Sequence, residues 1–186
     1  MSDDELGAVW RASLTLGEYG AIVRLLILTG QRRSEVAEMR WAEVDIEKRL
    51  WTARAKNNRQ HSVPLSDAAL SVLRGGAPSF DELAGPVFGP IGFSQAKKHL
   101  DALLLPGIPA FTIHDLRRTA ASGLAALGVQ LPVIEKVLNH QSGSSRGVCG
   151  VYQLHRYSAE KRAALDLWSE HVKRLGTAPE GLSFAA

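Results

Sequence analysis

The sequence predicts a mainly α (α+β) domain, helical with a small three-stranded antiparallel sheet. Three observations carry that reading. Apolar residues recur at helical spacing along most of the chain, as in Leu165, Trp168, Val172 and Leu175. Between Val44 and Pro64 that period breaks, and Val44, Ile46, Leu50, Thr52 and the run Ser62 to Pro64 read as short strands. Asn57-Asn58 supplies a turn signal between two of these strands.

In chain order, helical patterns run from Asp3 to about Leu14 and from Glu18 to Thr29, where Gly30 stops the second helix. "QRRSEVAEMR" predicts a short helix starting near Ser34. Pro64 has no N–H to give a ladder, which suits a strand end or sheet edge. "SDAALSVLRGG" is a helix halted by glycines, and "GGAPSFDELAGPVFGPIGF" is a Gly/Pro-rich loop or internal boundary. Further helices are expected at about 93–105, 114–127, 132–138 and 159–175, followed by an irregular tail over 176–186.

A chain of 186 residues, 45% hydrophobic and 22% charged, is long enough for a hydrophobic core. The net charge of +3 does not by itself indicate a nucleic-acid partner, but its distribution is uneven. Residues 48–61, "KRLWTARAKNNRQH", hold five Lys or Arg and no acid, and "AKKH" and "HDLRR" add further clusters. A single cysteine, Cys149, excludes an internal disulfide framework and fits a reducing compartment. "MSDDEL" is too acidic for a secretory signal, and "AIVRLLILTG" is short and carries Arg24, so it reads as a buried helix. A cytoplasmic protein with no membrane partner is expected. There is no H-E-x-x-H, no Cys/His cluster at ligand spacing and no phosphate-binding glycine loop, so neither metal nor cofactor is expected.

Four stretches offer chemistry, each with an ordinary alternative. In "HDLRRTAASGLAALG", His114, Arg117 and Arg118 lie opposite the apolar face of Leu116, Ala120 and Leu124. They form either a solvated polar face or an anion site in which an arginine fork meets phosphate oxygens. "TGQRRSEVAEMRW" puts Arg32 at the mouth of a helix, with Glu35 placed to orient it or merely to pair with it. Lys56 sits at a strand end beside the polar turn, where a lysine is either solvated or a proton donor in a nucleic-acid groove. His140 ends "EKVLNH", as a helix C-terminal residue favoured by the dipole or as a catalytic group.

Taken in order, Gly30-x-Arg32-x-x-Glu35, Lys56, "HDLRRT", "LNH" and Tyr152 resemble the tyrosine recombinases, the phage-integrase family. The likeness covers roughly residues 10–175, and the "HDLRRTAASGLAALGV" and "YQLHRYSAEKRAALDLW" blocks are similar to prophage-type integrases. The resemblance implies a helical catalytic domain at 1–175, with the usual N-terminal core-binding domain absent from this chain. It implies a strand-exchange enzyme of double-stranded DNA that assembles as a tetramer. Arg32 and Arg117 would hold the scissile phosphate, His114 and His140 would flank it, and Lys56 would be the general acid. Glu35 would support Arg32, and Tyr152 would be the nucleophile. Arg33, Arg54, Arg59 and Arg118 are the DNA-binding candidates. Asn139 stands where many members have glycine. Without the missing clamp, DNA binding is expected to be weak and salt-sensitive.

This set is chemically coherent. A phosphodiester repels nucleophiles, and two guanidinium groups neutralise the charge that grows in the transition state. A tyrosine hydroxyl, with an ordinary pKa of about 10, needs a cationic site or a base to attack at neutral pH. Two other functions remain open. A type IB topoisomerase-like relaxer shares the chemistry, and a non-enzymatic helix-turn-helix module fits "TAASGLAALGVQLPVIEKVLNH" loosely. Leu131, Pro132, Val133 and Ile134 stand where such a module needs base-reading polar residues. Tyr157 precedes Ser158, a plausible N-cap, and so suits packing, whereas Tyr152 follows a Ser/Gly run.

Overall fold

The computed structural model describes residues 1–54, 60–75, 85–140 and 157–177, apart from the side chain of Arg54. Lys56, Arg59, Tyr152 and the tail beyond Thr177 lie outside the described residues. Eight α-helices and three strands are described: α1 (Asp3–Ser13), α2 (Gly17–Thr29), α3 (Arg33–Ala37), β1 (Val44–Asp45), β2 (Leu50–Arg54), β3 (Gln60–Pro64), α4 (Asp67–Gly75), α5 (Phe93–Leu103), α6 (Ile113–Ala126), α7 (Leu131–Val137) and α8 (Ser158–Thr177). The expected α+β architecture is therefore observed, and the helix boundaries fall within two residues of the sequence reading.

α2 is the centre of the domain. Tyr19 to Val23 and Leu25 to Thr29 are all buried, because α1, α4, α6 and α8 pack around it. A helix apolar on every side must be enclosed in this way. The half-buried Arg24 gives its Nε–H to the carbonyl of Gly20, 3.2 Å away, so it needs no partner in the core.

The sheet has the order β1-β2-β3, antiparallel throughout. Strand parity sends Trp51, Ala53 and Val63 into the core. His61 pairs with Ala53 and shares that inward face with Val63. Pro64 closes β3, where its missing N–H leaves no gap inside the ladder. The described part of the Gly/Pro-rich span is no boundary. Val87 and Phe88 are buried, and the Val87 N–H bonds the carbonyl of Met39 at 2.8 Å.

α8 is locked across the domain by Trp168, which is 1% exposed and donates its indole N–H to the carbonyl of Ile27 at 2.8 Å. Gly123 of α6 lies directly against the ring, where a Cβ would come within 2.1 Å of it. Trp168→Ala removes that packing and the hydrogen bond, and is expected to cost about 3–5 kcal/mol of folding stability. Urea denaturation with an unchanged m-value is the check.

Candidate functional site

The site is built where three chain segments meet. The first is the exit of α2. Gly30 adopts φ 63, a left-handed cap that suits glycine, and a Cβ there would approach Leu138 Cδ2 to 2.9 Å. This tight turn delivers Gln31 and Arg32 to the mouth of α3. Glu35 then fixes Arg32 twice, accepting its backbone N–H at 2.9 Å and its Nη1–H at 3.0 Å. The Glu35 side chain is 7% exposed and that of Arg32 is 43% exposed, so the acid is the hidden strut and the guanidinium faces outward.

The second segment is α6. Asp115 caps it by accepting the N–H and hydroxyl of Thr112, and these bonds hold its carboxyl below the usual carboxylate range. Leu116, Ala120 and Leu124 pack inward, and Arg117 beside them is buried as well. The solvated polar face is thus not what α6 presents at this position. His114 and Arg118 are exposed, and Arg118 pairs with Asp115 at 3.1 Å.

Arg117 is held by main chain. Its Nη1–H donates to the carbonyl of Gly30 at 2.7 Å, and its Nη2–H donates to the carbonyl of Leu138. Both carbonyls belong to helix C-terminal ends, of α2 and α7, which carry unpaired acceptors and partial negative charge. Burial, helped by the charge of Arg32, lowers the pKa of Arg117 to about 10, so it stays cationic near neutral pH. Most of its N–H donors remain for a ligand.

The third segment is the end of α7. Val133, Ile134 and Val137 pack inward, while Leu131 at its start is exposed. Asn139 takes φ 49, and the His140 N–H then bonds the carbonyl of Glu135 at 2.9 Å. Asparagine tolerates this left-handed cap better than most residues. His140 itself is exposed at the surface.

Between the first two of these segments and α5 lies an open cleft of about 710 Å³, lined in part by Arg32, Arg33, His114, Arg117, Phe93 and Phe111. Arg33 lies 4.9 Å from the centre of the Phe93 ring, and Lys97 lies 4.0 Å from that of Phe111. His140 is not among the lining residues, and the sites of Lys56, Arg59 and Tyr152 fall outside the described residues. Tyr157 packs against the core with φ 49 and occupies the position before α8, so Ser158 is the first helical residue rather than the cap.

Three contributors escaped the sequence reading. Gln31 is 1% exposed and donates Nε2–H to the carbonyls of Thr29 and Val137, both at 2.8 Å. His61 places Nε2 at 3.1 Å from the same Val137 oxygen. Lys161, 6% exposed, donates Nζ–H to the carbonyl of Ser62 at 2.5 Å. Only strand parity offered a signal, since an inward Val63 implies an inward His61. Burial, with a contribution from Lys161, lowers the pKa of His61 to about 4. The unfolded ring therefore takes up its proton first as pH falls below about 6.5, and acidification toward pH 4 costs the fold stability.

The phage integrase family model matches residues 10–76. Prophage integrase IntA of Escherichia coli K12 is 32% identical over 162 residues, covering 79% of this chain and 37% of that protein. The integrase of mycobacterium phage Brujita superposes with a TM-score of 0.67 at 14% identity, over 94% of this chain and 62% of that one. XerH recombinase bound to its difH substrate superposes with a TM-score of 0.58 at 15% identity, over 76% and 47%. The chain spans less than half the length of the curated relatives it matches. A site of two arginines on one cleft, a shared fold and these sequence matches agree: the chain belongs to the phage integrase family, the tyrosine recombinases.

Proposed function

We propose that residues 1–175 are the catalytic domain of a cytoplasmic site-specific DNA strand transferase, acting on double-stranded DNA as a tetramer of the full-length protein. The observation that carries this reading is the pair of guanidinium groups on one cleft, Arg32 braced by Glu35 and Arg117 braced by two helix ends. Such pre-set cations stabilise charge that develops on a phosphoryl group without reorganising during the reaction. The similarity to a site-specific recombinase bound to its difH substrate, and to a transposon integrase in complex with circular intermediate DNA, supports DNA as the partner.

The reaction follows from these groups. Arg32 and Arg117 grip the non-bridging oxygens of the scissile phosphate. The Tyr152 hydroxyl oxygen attacks phosphorus and passes its proton to a flanking histidine, His114 or His140. The bond from phosphorus to the 5′-oxygen breaks, and Lys56 protonates that oxygen. A 3′-phosphotyrosine remains and keeps the energy of the phosphodiester. A 5′-hydroxyl of another strand then attacks it, the tyrosine leaves, and no nucleotide is consumed. Arg33 and Arg118, both exposed, are candidates for flanking phosphates, with Arg54 and Arg59 as further candidates.

Incubating the chain with a nicked suicide DNA duplex, in EDTA and without ATP, tests the reading. The expected result is protein covalently attached to the 3′-phosphate, with the modified peptide mapping to Tyr152. Cleaved DNA free of protein, or an adduct on Tyr157, would overturn it.

A further inference from the structure

We propose that His61 is a positioning residue for this site, holding with Gln31 the Val137 carbonyl and so the α7 end that grips Arg117. The inference rests on the strand-transferase reading and adds a residue of β3 to it. Val137 and Leu138 present consecutive carbonyls at the end of α7, where acceptors normally go unpaired or turn to water. Here side chains from three other elements take them. Gln31 at the exit of α2 and His61 of β3 meet the Val137 oxygen, and Arg117 of α6 meets the Leu138 oxygen one peptide further on.

The two carbonyls ride on one turn of helical backbone, since Leu138 keeps φ −78 and ψ −3 and its N–H is held by the Ile134 carbonyl at 2.9 Å, so they shift together when that turn shifts. A tilt that freed the Val137 oxygen would therefore carry the Leu138 oxygen away from Arg117. His61 opposes that tilt from the sheet side, and β3 is itself fixed from α8 by Lys161 on the Ser62 carbonyl. The charged groups around the ring are Lys161, Arg117 and Glu35. Two of the three are cations, which favour a neutral ring that donates Nε2–H over an imidazolium. An inward strand position of this kind, opposite Ala53 and beside Val63, is ordinarily filled by an apolar side chain. The histidine contributes what such a residue lacks, a donor to the carbonyl pair.

The test compares His61→Leu, which keeps volume and loses the donor, with His61→Gln, whose amide nitrogen can meet the same oxygen. Single-turnover adduct formation at saturating suicide DNA is expected to fall about tenfold to a hundredfold in His61→Leu, with DNA affinity nearly unchanged. His61→Gln is expected to recover most of that loss. Hydrogen exchange of the Arg117 guanidinium, followed by NMR on the free chain, should accelerate in His61→Leu and slow again in His61→Gln. An unchanged rate in His61→Leu, equal loss of rate and affinity, or no recovery with glutamine would overturn the proposal. If the wild-type chain forms no adduct, the strand-transferase reading fails and the catalytic role fails with it. Unaltered Arg117 exchange in His61→Leu would refute the link between His61 and Arg117 even in an active enzyme.

Discussion

Arg117→Ala is expected to lower single-turnover DNA cleavage by on the order of 10³-fold, about 4 kcal/mol of transition-state stabilisation. The size follows from the placement of this guanidinium. It is 6% exposed, and the carbonyls of Gly30 and Leu138 hold it rigid, so its remaining donors meet a phosphoryl group without reorganising. DNA affinity should change much less, because one phosphate contact among many is lost and the salt slope drops by about one. Alanine also strips both helix-end carbonyls of a donor, at about 1–3 kcal/mol for each left unsatisfied. Arg117→Lys separates the two effects. It keeps the cation but cannot span both carbonyls, so it should retain more stability than alanine and still cleave far more slowly than wild type. Circular dichroism melts beside quench-flow cleavage read out both quantities, and wild-type rates in a folded Arg117→Ala chain would remove this residue from the site.

The second large effect concerns the proposed nucleophile, Tyr152. Tyr152→Phe is expected to abolish the covalent adduct altogether, since phenylalanine has no oxygen to form the phosphodiester. Tyr157→Phe should leave adduct formation within about threefold of wild type, the scale of a small shift in a packed ring. Tyr157 is a partly buried ring at the entry of α8, and its carbonyl accepts the Lys161 N–H at 2.9 Å, a main-chain role that phenylalanine preserves. Denaturing gels of radiolabelled suicide substrate give the comparison directly. Loss of the adduct in Tyr157→Phe with survival in Tyr152→Phe would reverse the assignment.

Helices were legible in the sequence where one face is apolar or where a stop signal is strong. α2 and α8 show this best, one because its run is apolar all round and ends at Gly30, the other through the stripe of Leu165, Trp168 and Val172. The sheet was legible for a different reason: the polar run of residues 48–61 interrupts the helical period, and Pro64 ends it. Ser158 was misjudged by one position, because Tyr157 at φ 49 fills the entry position that a serine usually takes. Such entries depend on side-chain contacts and backbone torsions that spacing does not encode.

Within the site, the sequence by itself determined the residue types and their order: Gly30, Arg32 and Glu35, then His114 and Arg117, then Asn139 and His140. Local rules suffice there, since a left-handed cap needs glycine or asparagine and an i,i+3 acid can brace an arginine. Only the tertiary structure decided that Arg117 is buried while its neighbour Arg118 is exposed, and that Gln31 and His61 converge on one carbonyl of α7. The partners of those side chains are main-chain oxygens 106 and 76 residues away in sequence. Every residue type carries the same carbonyl, so no pattern of side chains announces which one a distant donor will find.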